Sequence, residues 1–560
     1  MDNPRLILYL ALGLVLFMIW QTWQQDYGAR PVQPAQAPVA EQPGAAPPRP
    51  HDLPEMAEAG EAVAPPAVSA PPPSSAQRIH VVTDVLDLEI GTRGGDMLRA
   101  DLLAYSVAWD QPDIPFRLFD DAEQLYIAQS GLVHDKTPKQ KTEPWRLAPS
   151  HHDLFSAEQQ EYRLQDGQDE LQVSLTWQGP NGVRVNKVYT FRRGSYLVEL
   201  DHVVTNQGQQ TWVGRQYRQL RHGPVQEGEG SMFIRTFTGG AYYDGKYEKV
   251  SFEDMQEEPL YQQLTGGWAA ILQHYFVSAW APAPEEVNLA YTKAVKGQSG
   301  PEYLIGLRSE PLTAAPGETV TFNARLYLGP KLQHRLAEIA EGLELVTDYG
   351  ILTVIAKPLF WLLEHIHAIV GNWGWAIILL TMLIKLVFYK LSEASYRSMA
   401  KMRSVQPRLA ALKDRYAGDK QKLNQALMEL YKKEKINPLG GCLPIVVQIP
   451  VFIALYWTLL ESVELRQAPF MFWIHDLSIR DPFFVLPLLM GITMFAQQRL
   501  NPTPLDPIQA KVMMALPIVF TVFFAFFPSG LVLYWFVNNL LSILQQWAIT
   551  RRVEQAAAAR

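Results

Sequence analysis

From residue 372 onward the chain alternates between apolar runs and charged connections. The runs cover 372–391, 442–460, 483–500, 512–527 and 531–549. Each is close to the length that carries a helix across hydrocarbon. No water satisfies the backbone there, so such segments fold as helices or closed barrels and as little else. Pro444, Pro450, Pro487 and Pro517 fall inside the runs, which helices packed in a bundle tolerate. The connections set the orientation. Residues 390–440 hold twelve Lys/Arg against five Asp/Glu, a bias that belongs on the cytoplasmic side. Arg499, Arg551 and Arg552 fall on the same side, leaving 461–482 and the tight FPSG turn at 527–530 outside.

The rest of the chain reads differently. An apolar run from Leu6 to Trp20 follows Arg5. A cleavable signal peptide is the rival reading, but no small-x-small site follows directly, and Trp20 and Trp23 suit interface anchors. Residues 1–24 are therefore expected to be an uncleaved signal-anchor and the sixth span, with both termini cytoplasmic. Residues 25–77 are rich in Pro and Ala and predict an unpacked tether. Between 24 and 348 the chain carries 27 Lys/Arg against 43 Asp/Glu, whereas the remainder is net basic at 22 against 13. The positive charge flanks apolar helices, which argues for membrane orientation and against a specific nucleic-acid partner.

Alternating runs such as DELQVSLTWQ and VRVNKVYTFRRGSYLVELDHVV, broken by Asn-Gly, Gly-Gly and Asp-Gly, predict a large antiparallel β domain. With a linker helix at 331–347 it occupies 78–348. Cys442 is the only cysteine, so no intrachain disulfide staples this domain. His151, His152, His222 and His274 have no metal-ligand spacing, and His365 and His367 diverge on a helix. Residues 349–370, interrupted by Lys357, Pro358, Glu364, His365 and His367, read as an amphipathic helix lying in the interface. The basic segment is patterned as a helical hairpin, 392–436, turning at Gly418 and Asp419.

Lys385 stands in IILLTMLIKLVFYK, five residues before Lys390. An uncompensated lysine in hydrocarbon costs about 2.5–3.5 kcal/mol. It can snorkel to the cytoplasmic headgroups or face a hydrated cavity. Thr381 lies one turn away, Gln448 sits in CLPIVVQIPVF, and Tyr534 and Asn538 form another four-residue pair beside Asn539. These groups line a polar groove or act as interhelical hydrogen-bond glue; spacing does not separate the two. No HExxH, G-x-S-x-G, Walker loop or intramembrane carboxylate pair occurs. Ser395, His365 and Cys442 are isolated. No catalytic residue, metal or cofactor is expected.

The motifs KEKINPLGGCLPIVVQIPVFIALYWTLLESVELRQAPFMFWIHDLSIRDP, MGITMFAQQRLNPTP and FPSGLVLYWFVNNLLSILQQW closely resemble the YidC/Oxa1/Alb3 family of membrane protein insertases, in its Gram-negative branch. The resemblance implies a polytopic α-helical inner-membrane protein with six transmembrane helices. Five of them, in 371–550, form the core, and a periplasmic β-super-sandwich similar to sugar-mutarotase folds lies outside. It further implies a groove open to cytoplasm and lipid, whose cation draws in the polar outer segment of a nascent membrane protein. Lys385 takes the position the family usually gives to arginine, with Thr381, Gln448, Tyr534, Trp535 and Asn538 around it. The hairpin residues Arg397, Lys401, Arg403, Arg408, Lys432 and Lys433 are implied to meet a ribosome or targeting receptor. The implied partners are nascent chains, the Sec translocon and the lipid bilayer. The short tail 551–560 implies weak tail-mediated ribosome binding. A channel or solute transporter, or a membrane-anchored periplasmic carbohydrate-active protein, is the alternative.

Overall fold

The computed structural model describes residue 53 and residues 77–135, 147–224, 236–297, 299–416, 418–434, 443–501 and 507–558. The expected signal-anchor 1–24, the tether apart from Leu53 and Gln77, and Cys442 lie outside the described residues.

The β domain is built from two sheets, one of eleven strands and one of nine. The period-2 runs become strands whose alternate residues are buried, as in Leu197–Asn206 with its strict in-out alternation. Their inward faces share one apolar core that includes Leu88, Phe119, Val185, Leu200, Trp268, Trp280 and Leu326. The Asn-Gly signal lies where it was read: Asn181 and Gly182 both take positive φ between strands Glu170–Gln178 and Val183–Arg192. Among the described residues the pairing is antiparallel with one exception, Arg78–Val82 beside Glu161–Arg163, which is parallel.

The sandwich interior holds the buried imidazoles His134, His202 and His222, and His274 sits partly buried against the Leu460 carbonyl. Burial pushes His134, His202 and His222 down, and pushes His274 down to about 4, with its Nε2 3.0 Å from the Leu460 carbonyl oxygen. Below about pH 6.5 the unfolded chain takes up these protons and the native chain does not, until pH falls through the lowered native values. Stability is therefore full above about 6.5 and falls as pH drops toward 4. We expect the denaturant midpoint of the full-length protein in detergent, followed by β-sheet circular dichroism, to decline through that window. A midpoint independent of pH between 7 and 4.5 would refute this.

Eleven helices are described. In the β domain α1 is Phe252–Glu257, and α2, Gln333–Ile339, follows the last strand. The single linker helix expected over 331–347 is instead α2 followed by a 3-10 turn, Leu343–Val346, because the left-handed Gly342 breaks it. Then come α3 (Thr353–Val370), α4 (Trp373–Val387), α5 (Tyr389–Ser404), α6 (Gln406–Arg415), α7 (Lys420–Lys433), α8 (Leu443–Glu461), α9 (Val485–Leu500), α10 (Pro507–Phe524) and α11 (Ser529–Ala558).

Among the described residues one helix, Gly350–Val370, is by length and composition long and apolar enough to cross a membrane; it is the segment the sequence placed in the interface. A second candidate is the pair α4 and α5, bent by 68°. The run expected to continue to 391 thus ends at Val387, and the chain turns there into its basic segment. That segment is three helices rather than two. Pro407 in the first turn of α6 starts a new helix after Val405, and Asp419 caps α7 by accepting from the Gln421 and Lys422 amides. Val405 and Leu409 pack on Leu427, Leu430 and Tyr431, which makes the hairpin a real pair of legs.

Candidate functional site

Helix α11 is the centre of the helical body and packs against α4, α5, α8 and α9. Asn372 starts α4, accepting from the Trp375 amide and donating to the Pro469 and Phe470 carbonyls. That ties the first turn to the 461–482 connection. At the same end Ser529 donates to the carbonyls of Asp476 and Ile479, and the Gly530 amide donates to Leu477. Phe470, Ile474, Leu477, Phe524, Phe527 and Leu531 fill the space behind these bonds. This end of the helical body is sealed by backbone ties and packed rings.

Below this seal the interior becomes polar. Lys385 is 6 % exposed, and its Nζ donates to Ser542 Oγ at 2.8 Å. Ser542 in turn donates to the Asn538 carbonyl at 2.7 Å. Asn538 Oδ1 accepts from Gln448 Nε2 at 3.0 Å. Three helices, α4, α8 and α11, are joined through this chain of donors. Among the described residues Lys385 has no ion pair. The ammonium is thus held inward by a hydroxyl and does not reach outward along its stem.

The other expected residues fall nearby with distinct parts to play. Thr381 is buried on the same helix, but its hydroxyl bonds back to the Ile377 carbonyl and leaves the ammonium alone. Tyr534 is buried and stacks on Phe452 at 5.7 Å, while Trp535 stands edge-on to the same ring at 4.3 Å. Of the hairpin residues, Arg397 pairs with Glu393 and Arg408 with Glu434 across the two legs. Lys401 and Arg403 lie on α5, and Lys432 and Lys433 on α7.

The sequence reading passed over Ser542. The signal was present: Tyr534, Asn538, Ser542 and Gln546 recur every four residues, one polar stripe along one face of α11. Also unforeseen was the docking of the 461–482 connection on the β domain. Arg466 donates to the Ser106 and Val107 carbonyls and lies over the Phe116 and Phe276 rings. Gln467 exchanges two bonds with Ser106, and Trp109 stacks on His475.

Apolar side chains crowd the outside of the helical body. Leu386, Val387, Leu488, Ile492, Ile518, Val519 and Val522 are all exposed, an arrangement suited to lipid rather than water. Fold and site together define a membrane-embedded helical body with a buried cation on a polar stripe, joined to a large β sandwich. Residues 78–362 match the family model described as YidC periplasmic domain, and residues 365–556 match that described as 60Kd inner membrane protein. The chain belongs to the YidC/Oxa1/Alb3 family of membrane protein insertases. It is 62 % identical to the membrane protein insertase YidC of Thioalkalivibrio sulfidiphilus, over 99 % of both chains. It is 53 % identical to that of Methylococcus capsulatus over the whole of both, and 50 % identical to that of Pseudomonas fluorescens over 99 % of both. A crystal structure of active YidC insertase with its first transmembrane domain resolved aligns over 84 % of this chain and 92 % of that one, at 16 % identity and a TM-score of 0.36. A galactose mutarotase related enzyme from Lactobacillus acidophilus aligns over 45 % of this chain and 97 % of that one, at 11 % identity and a TM-score of 0.31. Both scores are too low to bear on the fold.

Proposed function

We propose that this chain inserts membrane proteins by drawing the polar outer segment of a nascent client toward the buried polar site around Lys385. The client's apolar helix then slides past the exposed faces of α4 and α10 into lipid. The observation that carries this reading is the Lys385–Ser542–Asn538–Gln448 chain, a cation held inside a helical body with no acidic partner among the described residues. A counter-charge supplied by the client completes it. Polar atoms beside the chain favour a wet cavity: Asn539 Nδ2 and Gln546 Oε1 are buried without a protein partner among the described residues, and water fills that role in such sites. Hydrogen-bond glue alone would leave the lysine unexplained. The drive is burial of the client's apolar helix, so the step needs no nucleotide.

The finer topology belongs to the same proposal. Six spans, counting 1–24, place both termini and the hairpin 392–436 in the cytoplasm and the β domain in the periplasm of a Gram-negative cell. The hairpin's basic legs then face a ribosome or targeting receptor, and larger clients pass to this chain from the Sec translocon. The outer seal formed by Ser529, Phe527 and Leu477 favours insertion over a channel, which needs a path through both faces.

Site-specific photo-crosslinking from position 385 to a ribosome-bound small membrane protein tests the reading. A crosslink to the client, together with access of a water-soluble probe to position 385, is the expected result. Absence of both would end the groove reading.

A further inference from the structure

We infer that Leu53 is a plug by which the proline-rich tether fastens itself to the outer face of the 11-stranded sheet. Leu53 is 2 % exposed, although the segment around it has no composition for a core of its own. It packs with Val133 and Tyr217 in a cluster separate from the sandwich interior. Strand parity shows which face this is. Along Trp212–His222 the interior takes Trp212 and Leu220, so Tyr217 points the other way. Along Tyr126–His134 the interior takes Tyr126, Ala128 and Leu132, and Val133 points with Tyr217.

The seat is prebuilt. Tyr217 pairs in register with Gly131 on the neighbouring strand and lies across it: a Cβ at 131 would stand 2.6 Å from the tyrosine oxygen. Any larger residue there would lift the ring. The His151 backbone amide donates to that oxygen at 2.9 Å, and its ring Nδ1 lies 2.6 Å away. The aromatic ring is thereby fixed as a floor, with Val133 as a wall. A leucine set on a rigid aromatic floor is how a short extended segment gains an anchor.

The tether makes even a weak contact effective. Leu53 is joined to the first strand at Arg78 by a linker short enough to give a local concentration on the order of millimolar. The contact pins position 53 to the 11-stranded sheet ahead of the first strand at Arg78.

The test uses the full-length protein in detergent with Cys442→Ser. Leu53→Cys and, separately, Val63→Cys are labelled with a water-soluble maleimide. We expect Leu53→Cys to react about tenfold more slowly, a margin of ~1.4 kcal/mol. We also expect Leu53→Cys/Val133→Cys to oxidise to an intramolecular disulfide faster than Val63→Cys/Val133→Cys. Equal labelling rates would overturn the plug, and so would a 53–133 pair that oxidises no faster than the 63–133 pair.

Discussion

Lys385→Leu lowers insertion of a client with an acidic outer segment by about tenfold, corresponding to ~1.4 kcal/mol of lost attraction. At an effective dielectric of about 20, a unit pair about 8 Å apart is worth ~2 kcal/mol, and partial hydration of the site reduces that. Three controls give the prediction its shape. A client whose outer segment is neutral loses little, because it has no charge to exchange with the ammonium. Lys385→Arg keeps the charge and most of the activity, although its planar fork calls for two acceptors where Ser542 offers one. Ser542→Ala removes the hydrogen bond and leaves the charge, so its loss is smaller, about threefold. Protease protection of the client's outer segment in proteoliposomes reads all four. Equal loss for acidic and neutral clients would mean that Lys385 holds the helices together and does not attract the client.

How far the site could be read from sequence follows from the range of each interaction. The polar residues on α4, α8 and α11 were legible because a charge in an apolar run is conspicuous. Ser542 was not, since a lone serine in LSILQQW is unremarkable until its four-residue spacing from Asn538 is set beside Lys385. The strands followed from period-2 runs and their Asn-Gly turns. The bend after Val387 carries no proline or glycine to announce it. Arg466 and Gln467 meet Ser106 across some 360 positions of chain, and no local pattern encodes such a partner. The burial of Leu53 ran against composition, which describes a segment's average and misses a single anchor.

Glu461→Ala gives the second large effect, on the joint between the two halves of the molecule. Lys331 follows the last strand of the sandwich, and Glu461 is the last residue of α8; their charged ends stand 3.8 Å apart. Lys331 is only 4 % exposed, and burial pushes its ammonium down while Glu461 pulls it up. Without the carboxylate an unpaired cation stays in the interface or gives up its proton, at a cost of about 3–5 kcal/mol. The pair Lys249–Asp348 at 2.6 Å nearby does not substitute, because its own charges already satisfy each other. The double variant Lys331→Met/Glu461→Leu removes both charges and refills the space, so it recovers most of the loss. Scanning calorimetry of the full-length protein in detergent should therefore show Glu461→Ala melting well below the parent, with the β domain and helical body separating into two transitions, and the double variant returning toward one. A Glu461→Ala protein that melts within about a degree of its parent would mean that the joint rests on Arg466 and Gln467 instead, since a loss of this size shifts melting by several degrees.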